Sequence, residues 1–161
     1  MKKRTLLLLL SILALLSCKN TNDAKPSNKY YLTAKLDGKQ TDFSTEFAGY
    51  NWTQSAPYNL IVTGYQNKNF RLPAIDIEVQ NATNTIKTGT YIEPNQERLC
   101  RYAVSTNEVY TANNNVLNDF EVKILELTNK DVKGTFEGTI TDFKTKISIK
   151  ITEGRFYVPF D

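Results

Sequence analysis

Three aromatic side chains around a short irregular stretch are the residues best suited to ligand contact. Tyr50 and Trp52 precede residues 55–57, a Ser-Ala-Pro segment, and Tyr58 follows it. An aromatic face with a polar tip stacks on sugar rings or anchors a protein partner. The alternative is ordinary packing of these rings beneath a loop. Tyr50, Trp52 and Tyr58 are therefore candidate contact residues for a ligand, at a sheet edge or in a loop.

Two carboxylates share one face of a predicted strand. Asp76 and Glu78 alternate with apolar residues, so their side chains point the same way. A glycosidase needs two carboxylates that face each other across a cleft, about 5 or 6.5–9.5 Å apart. Neighbours on one strand do not supply that geometry. The pattern favours a solvated sheet face, and a carboxylate-dependent hydrolase is the least favoured function.

One cysteine lies beside two cations. Cys100 stands between Arg98 and Arg101. A guanidinium close to a thiol lowers the pKa of the thiol and makes it reactive. The favoured alternative is a small buried or half-buried thiol with no chemical role.

The sequence lacks the residues on which most catalytic and metal sites depend. It contains no histidine, which removes the usual triads and the commonest metal ligand. Residues 113–115 with Asn118 and Asp119 are rich in oxygen, but they lack the acidic spacing of a calcium loop and favour a polar turn. Neither a phosphate loop nor a dinucleotide fingerprint occurs. We expect no enzyme activity, no metal and no cofactor.

The N-terminus is typical of an export signal. Three cations at positions 2–4 precede the apolar run Leu6–Leu16, which is too short to span a bilayer and fits a secretory signal. Leu15-Leu16-Ser17-Cys18 resembles the lipobox of bacterial lipoproteins. The resemblance implies that residues 1–17 are removed and that Cys18 carries the lipid. A secretory signal without lipid is the alternative.

Removal of that signal changes the charge of the chain. The full sequence has 20 basic and 17 acidic residues, and the three cations at positions 2–4 would leave with the signal. The mature chain would then be neutral. A neutral domain argues against electrostatic binding of nucleic acid. The expected partners are the membrane, through the lipid on Cys18, and an envelope ligand that is a glycan or a protein.

The mature chain divides into a tether and one domain. Residues 18–29 hold the expected lipidated cysteine and a polar segment with Pro26. A flexible segment of this length spans on the order of 18 Å. Residues 30–161 are long enough to bury one core without disulfides.

Alternating apolar residues and turn signals predict strands throughout that domain. Asp37-Gly38 predicts a tight hairpin, since such a turn needs two positive φ angles. The apolar phase changes at Leu125, which predicts a β-bulge. Phe136, Phe156 and Phe160 fit inward positions, and Glu153-Gly154 predicts a turn. About ten short strands without helical periodicity predict an all-β, single-domain antiparallel sandwich or flattened barrel.

The C-terminal pattern resembles a known group of proteins. Residues 132–140 read Val-Lys-Gly-Thr-Phe-Glu-Gly-Thr-Ile, residues 151–156 read Ile-Thr-Glu-Gly-Arg-Phe, and residues 89–91 read Gly-Thr-Tyr. With the Leu-Asp-Gly-Lys hairpin at 36–39, they resemble small β-rich lipoproteins of Bacteroidetes whose function is unknown. The resemblance implies a lipidated cysteine and an all-β domain, and it brings no functional residues.

These observations give one functional expectation and one alternative. We expect a lipid-anchored envelope protein that acts as a non-catalytic binding or accessory module. The alternative is a structural or protein-interaction component of the envelope. The outer membrane is the expected location. In the group of lipoproteins that this chain resembles, members exported to the cell surface carry several acidic residues after the cysteine. Here residues 19–23 contain only Asp23, which favours a domain that faces the periplasm.

Overall fold

The computed structural model of this chain describes residues 29–92, 98–113 and 119–160. Every regular element in these ranges is a β-strand, and all strand pairs are antiparallel, which confirms the predicted all-β class. The described strands are β1 (Tyr31–Leu36), β2 (Lys39–Asp42), β3 (Glu46–Trp52), β4 (Tyr58–Asn67), β5 (Arg71–Asn81), β6 (Gly89–Ile92), β7 (Arg98–Ala103), β8 (Val109–Asn113), β9 (Glu121–Leu127), β10 (Asp131–Asp142) and β11 (Ser148–Pro159).

The strands form one curled sheet that branches at β10. Its main path runs β2-β1-β11-β10-β8-β7-β5-β4-β3, while β9 also pairs with β10 and β6 pairs with β9. The first half of β10 pairs with β9 and its end pairs with β8. Gly138 lies between these halves at a φ of 136°. A Cβ atom there would overlap the backbone of Phe120. Glycine therefore lets the segment that leads into β9 pass directly over β10 at the point where the sheet branches.

The sheet has two arms: one holds β2, β1, β11, β10, β9 and β6, and the other holds β8, β7, β5, β4 and β3. The segment 43–45 draws these two arms together. Phe43 donates its N–H to the carbonyl of Leu32 in β1, and Thr45 donates to the carbonyl of Tyr65 in β4. Leu32 in turn donates its N–H to the hydroxyl of Ser44 at 3.0 Å. These bonds link β1 to β4 and curl the sheet into a half-barrel around its apolar face.

The interior is filled by alternating side chains from both arms. Phe136 and Phe156 are fully buried, as predicted, and Phe160 is half-buried against the same core. The Phe136 ring lies 6.5 Å from that of Phe120 and 6.2 Å from that of Phe156. This cluster fills the space that the curled sheet encloses.

One of the turn and bulge predictions is wrong. Asp37 and Gly38 have φ angles of 47° and 80°, and Leu125 has no directly opposite residue in β10, so the predicted hairpin and bulge are confirmed. The turn predicted at Glu153-Gly154 is wrong. Glu153 has a φ of 53° but forms a bulge inside the continuous strand β11, because β10 pairs with β11 on both sides of it.

A polar network holds the point where the described chain enters the sheet. The Asp131 carboxylate accepts hydrogen bonds from Thr128 at 2.7 Å, Tyr157 at 2.9 Å and Lys29 at 3.1 Å. The Lys29 ammonium also lies over the ring of Tyr30, 4.7 Å from its centroid. The expected tether therefore joins the domain at the end of the sheet where β10 begins and β11 ends. Within the described ranges, no helix has the length and apolar character needed to cross a membrane.

Candidate functional site

The structure brings two of the three predicted aromatic residues together. Tyr50 and Trp52 lie on β3, which ends the main path of the sheet, and the irregular stretch at 55–57 follows this strand. Trp52 pairs with Asn59, and Tyr50 pairs with Ile61. Because directly paired residues point to the same face, Tyr58 points to the opposite face from Trp52. The candidate site thus consists of Tyr50 and Trp52 without Tyr58. The predicted lipid site, Cys18, lies outside the described residues.

Tyr50 and Trp52 form a stacked pair on the outer face of the sheet. Their ring centroids are 6.0 Å apart and the ring planes differ by 24°. Tyr50 is 50% exposed. The Trp52 indole N–H donates to the carbonyl of Ser55 at 3.0 Å, which holds the indole in place. The pair is therefore an aromatic surface that is ordered before any ligand arrives.

Amide and carboxylate side chains follow the aromatic pair across the sheet. Asn59 pairs with Gln80 of β5, and Ile61 pairs with Glu78. The Asn59 side-chain oxygen is shielded from solvent and has no hydrogen-bond partner within the described part of the chain. A shielded acceptor without a partner is costly, so a hydrogen bond from water or from a ligand that reaches this oxygen would be favourable.

The next row along the same face is an ordered polar cluster. Asp76 accepts a hydrogen bond from the Thr63 hydroxyl at 2.8 Å and forms an ion pair with Arg101 at 3.0 Å. The side chains of Asp76 and Arg101 are 25% and 37% exposed. Both oxygens of Asp76 accept hydrogen bonds, so this carboxylate holds the Thr63 hydroxyl and the Arg101 guanidinium in place. It does not pair with Glu78 as an acid and base.

Together these residues have the chemistry of a carbohydrate platform. A planar aromatic surface packs against the C–H face of a sugar ring, and flanking amides and charged groups hydrogen-bond to its hydroxyls. The aromatic pair lies at the end of β3, and the polar groups lie on β4, β5 and β7. A ligand that spans several strands would meet both.

The cleft on the other arm of the sheet contains several acids in a different arrangement. It has a volume of about 500 Å³ and is lined by residues that include Glu121, Glu137 and Glu153. Glu121 and Glu137 are directly paired neighbours on β9 and β10. Glu153 forms an ion pair with Lys35. Glu121 and Glu137, which form no ion pair within the described part of the chain, therefore lie side by side on one face of the sheet.

The remaining candidate residues are not arranged for chemistry in the described ranges. Cys100 is fully buried, and burial raises the pKa of its thiol. Arg101 points to the opposite face and pairs with Asp76. Asn114, Asn115 and Asn118 lie outside the described residues, while Asp119 accepts a hydrogen bond from the N–H of Thr139. Among the described residues, no three Cys, Asp or Glu side chains are grouped to hold a metal ion.

Sequence reasoning found the aromatic pair but missed its polar surroundings. The alternation of Asp76, Glu78 and Gln80 did indicate a polar strand face. What it lacked was the pairing of β5 with β4, which places this face beside Tyr50 and Trp52. A scan against protein-family models, a search of curated proteins and a search of solved structures found no match to this chain.

Proposed function

We propose that the mature chain is a non-catalytic binding module of the bacterial cell envelope. A lipid on Cys18 attaches it to the membrane, and the outer face of β3 and β4 holds a glycan. The single observation that carries the ligand class is the stacked Tyr50–Trp52 pair, which lies beside Asn59 and has its indole already held by Ser55.

The surroundings of the pair support a glycan over a protein ligand. An aromatic anchor for a protein is normally buried in an apolar pocket of its partner and ringed by other apolar contacts. Here the neighbouring groups are the amides of Asn59 and Gln80 and the charged pair of Asp76 and Arg101. Such groups match the hydroxyl-rich edge of a sugar.

The non-catalytic part of the proposal rests on how the carboxylates are used. Glu78 lies in the row of Tyr50, and Asp76 lies in the next row, where Thr63 and Arg101 hold it. A general acid or base needs a carboxylate that is able to exchange a proton with the ligand. A binding role without bond cleavage fits this arrangement best.

The glycan assay uses the one tryptophan of the chain as its probe. Trp52 is part of the site, so addition of envelope polysaccharide fractions should change its fluorescence directly. Trp52→Ala and Tyr50→Ala should each weaken binding in a pulldown by at least about tenfold, which corresponds to about 1.4 kcal/mol. Leu125→Ala, at an exposed position on the other arm, is the matched control and should bind normally.

Two results would reject the glycan site. One is the absence of binding to every envelope polysaccharide fraction. The other is binding that is unchanged in both aromatic variants. Because Tyr50 is half-exposed, Tyr50→Ala should fold normally, and a thermal melt checks this.

The lipid anchor is tested separately. Mass spectrometry of the mature N-terminus should find an acylated Cys18, and cell fractionation should place the chain in the outer membrane. Accessibility to added protease in intact cells should be low if the domain faces the periplasm. Cys18→Ser should release the chain from the membrane. An unacylated mature N-terminus, or wild-type chain in the soluble fraction, would contradict this part of the proposal.

The open edge of β3 supports a second candidate function. Within the described residues β3 pairs with β4 alone, so its other edge has free backbone groups. An extended segment of a partner protein can add to such an edge. This is the structural alternative, in which the chain is a protein-interaction component of the envelope. Ala48→Pro would block strand addition, whereas it would leave the rings of Tyr50 and Trp52 in place for a glycan.

A further inference from the structure

Two hairpin turns at one end of the sheet expose large apolar side chains. Residues 67–71 join β4 to β5 and expose Phe70, which is 59% accessible. Residues 143–147 join β10 to β11 and expose Phe143 and Ile147, which are 45% and 56% accessible. We call these two turns the distal tips. Single exposed apolar residues are common on protein surfaces, but three large ones in two turns indicate a contact surface.

The strand register places both tips at the same end of the sheet. Ala74 of β5 pairs with Ala103, Ala103 pairs with Val109, and the adjacent Tyr110 pairs with Asp142 of β10. The second turn begins directly after this row, and in the first turn Phe70 lies beyond three further residues of β5, 71–73. Three strand spacings separate β5 from β10, which is about 14 Å along the sheet. Both tips therefore lie at one end of the sheet, on either side of the turn that joins β7 to β8.

Every charged residue within the two tips is a cation. Lys68 and Arg71 flank Phe70, and Lys144 and Lys146 lie between Phe143 and Ile147. The Lys146 ammonium lies 5.5 Å from the centroid of the Phe143 ring. Apolar side chains flanked by lysine and arginine are typical of segments that enter the headgroup region of an anionic membrane.

Two carboxylates next to the tips cap the backbone of the turns. Asp142 is buried and accepts hydrogen bonds from the N–H groups of Lys144 and Thr145, both at 2.8 Å. Glu46 accepts a hydrogen bond from the N–H of Phe70. These two acids fix the shape of the turns and leave the cations facing outward.

The backbone holds Phe70 outward although that conformation is unfavourable. Phe70 has a φ of 51°, and the preceding Asn69 has a φ of 60°. A bulky residue is rare in the left-handed region, where glycine or asparagine is favoured. Its ring packs edge-to-face on Tyr65 at 5.3 Å and still remains mostly exposed. The strain is consistent with a role for the exposed ring, since such outliers cluster at functional positions.

We infer that the distal tips are a docking site for an anionic phospholipid bilayer. Phe70, Phe143 and Ile147 enter the boundary between headgroups and acyl chains, and the flanking cations contact the lipid phosphates. Charge complementarity favours this occupant over a protein groove, because both tips combine apolar side chains with cations alone. This surface is independent of the stacked pair of Tyr50 and Trp52, which we call the aromatic platform and which lies toward the opposite end of the sheet.

The expected anchor is compatible with this contact. The described chain enters beside Tyr157, at the end of β11 away from the tips. Strand β10 has 12 residues and spans about 40 Å. The eleven residues 19–29, if fully extended, span about 36–40 Å. A chain fixed at Cys18 therefore brings its tips to the membrane that holds the anchor only when this segment is almost fully extended.

Vesicle flotation tests the inference without the lipid anchor. Residues 19–161 contain every described strand and the whole core, so this segment is suitable for the assay. It should float with vesicles of 70% phosphatidylcholine and 30% phosphatidylglycerol, and much less with pure phosphatidylcholine. Phe143→Ser with Ile147→Ser should lower the partition coefficient at least tenfold. Lys144→Gln and Lys146→Gln should each lower it about fivefold, an effect that added salt should imitate.

A moved tryptophan reports insertion directly. In the double variant Trp52→Phe with Phe143→Trp, the emission maximum should shift to the blue when anionic vesicles are added. Leu125, an exposed apolar residue away from the tips, provides a matched control. Leu125→Ser should float like the wild type.

The inference fails if the wild-type segment does not bind anionic vesicles, or if the tip variants float normally. It also fails if Trp52→Ala alone abolishes flotation, because the contact would then lie at the other end of the sheet. The tip variants should bind glycan fractions normally, so failure here is distinguishable from failure of the glycan site. A thermal melt confirms that each variant is folded.

Discussion

Gly49 of β3 lies directly against the carbonyl oxygen of Pro159 in β11. A Cβ atom at position 49 would overlap that oxygen and would also approach the ring of Phe160. The contact joins the last strand of the chain to the inner face of the strand that carries Tyr50 and Trp52. The aromatic platform is therefore supported from beneath by the C-terminal end of the domain.

Gly49→Ala should destabilise the domain and disturb the platform together. The added methyl group has no free space, and overpacking of this kind costs about 1–3 kcal/mol. Urea unfolding should show this loss, and Trp52 fluorescence should change in the folded state. Thr53→Ala, at an exposed position just beyond β3, should leave both unchanged. A Gly49→Ala variant as stable as the wild type would show that β11 does not support β3.

Phe136 should be among the most sensitive positions of the core. It is 2% exposed and contacts both Phe120 and Phe156. Truncation to alanine removes a large buried ring, so Phe136→Ala should lower the free energy of unfolding by about 3–5 kcal/mol. Leu125→Ala, which truncates an exposed bulge residue, should change it by less than about 0.5 kcal/mol. Equal effects of the two substitutions in chemical denaturation would contradict the described core.

Asp131 should make the stability of the domain depend on acidic pH. Its hydrogen bonds from Thr128, and then from Tyr157 and Lys29, lower the pKa of this carboxyl from 3.8 to about 2 in the folded state. The unfolded chain then takes up the proton first as pH falls. The stabilisation by Asp131 is complete above about pH 5 and is lost progressively as pH approaches 2.

Asp131→Asn isolates that contribution. The difference in unfolding free energy between the wild type and this variant should be largest near neutral pH and should shrink below about pH 4. Glu137→Gln, at an exposed carboxylate outside this network, is a suitable comparison. A wild-type advantage that stays constant from pH 6 to pH 2 would show that the carboxylate charge is not what stabilises this network.

Cys100 should be unreactive in the folded domain. The thiol is fully buried and burial raises its pKa, so little thiolate exists even at mildly alkaline pH. In residues 19–161, which hold no other cysteine, an aromatic disulfide reagent should label the native protein only at the rate of unfolding. Full labelling should follow in concentrated guanidinium chloride. Rapid native labelling that rises with a normal thiol pKa would refute this.

Local sequence signals predicted the elements whose shape depends on neighbouring residues. Asp37-Gly38 folds as a tight turn because two adjacent residues tolerate positive φ, and this needs no distant partner. The phase change at Leu125 predicted its bulge for the same reason. Phe136 and Phe156 were placed inward by alternation alone, since a strand with one buried face requires it.

Signals failed where a partner strand decides the local structure. Glu153 and Gly154 are typical turn residues, yet pairing with β10 and β1 on both sides keeps β11 continuous and makes them a bulge. Strand β3 carries no clear alternation, and its pairing with β4 makes it a strand. The same pairing separates Tyr58 from the two aromatic residues with which it was grouped.

The sequence by itself determined the all-β class, the Asp37-Gly38 turn, the inward positions of Phe136 and Phe156, and Tyr50 and Trp52 as candidates, because each depends on residues close together in the chain. Only the tertiary structure placed Asn59, Gln80 and the Asp76–Arg101 pair beside them, and only it brought Phe70 to the same end as Phe143 and Ile147. Those juxtapositions depend on strand order and register. Register is fixed by the fit of a shared core, which no short stretch of sequence contains.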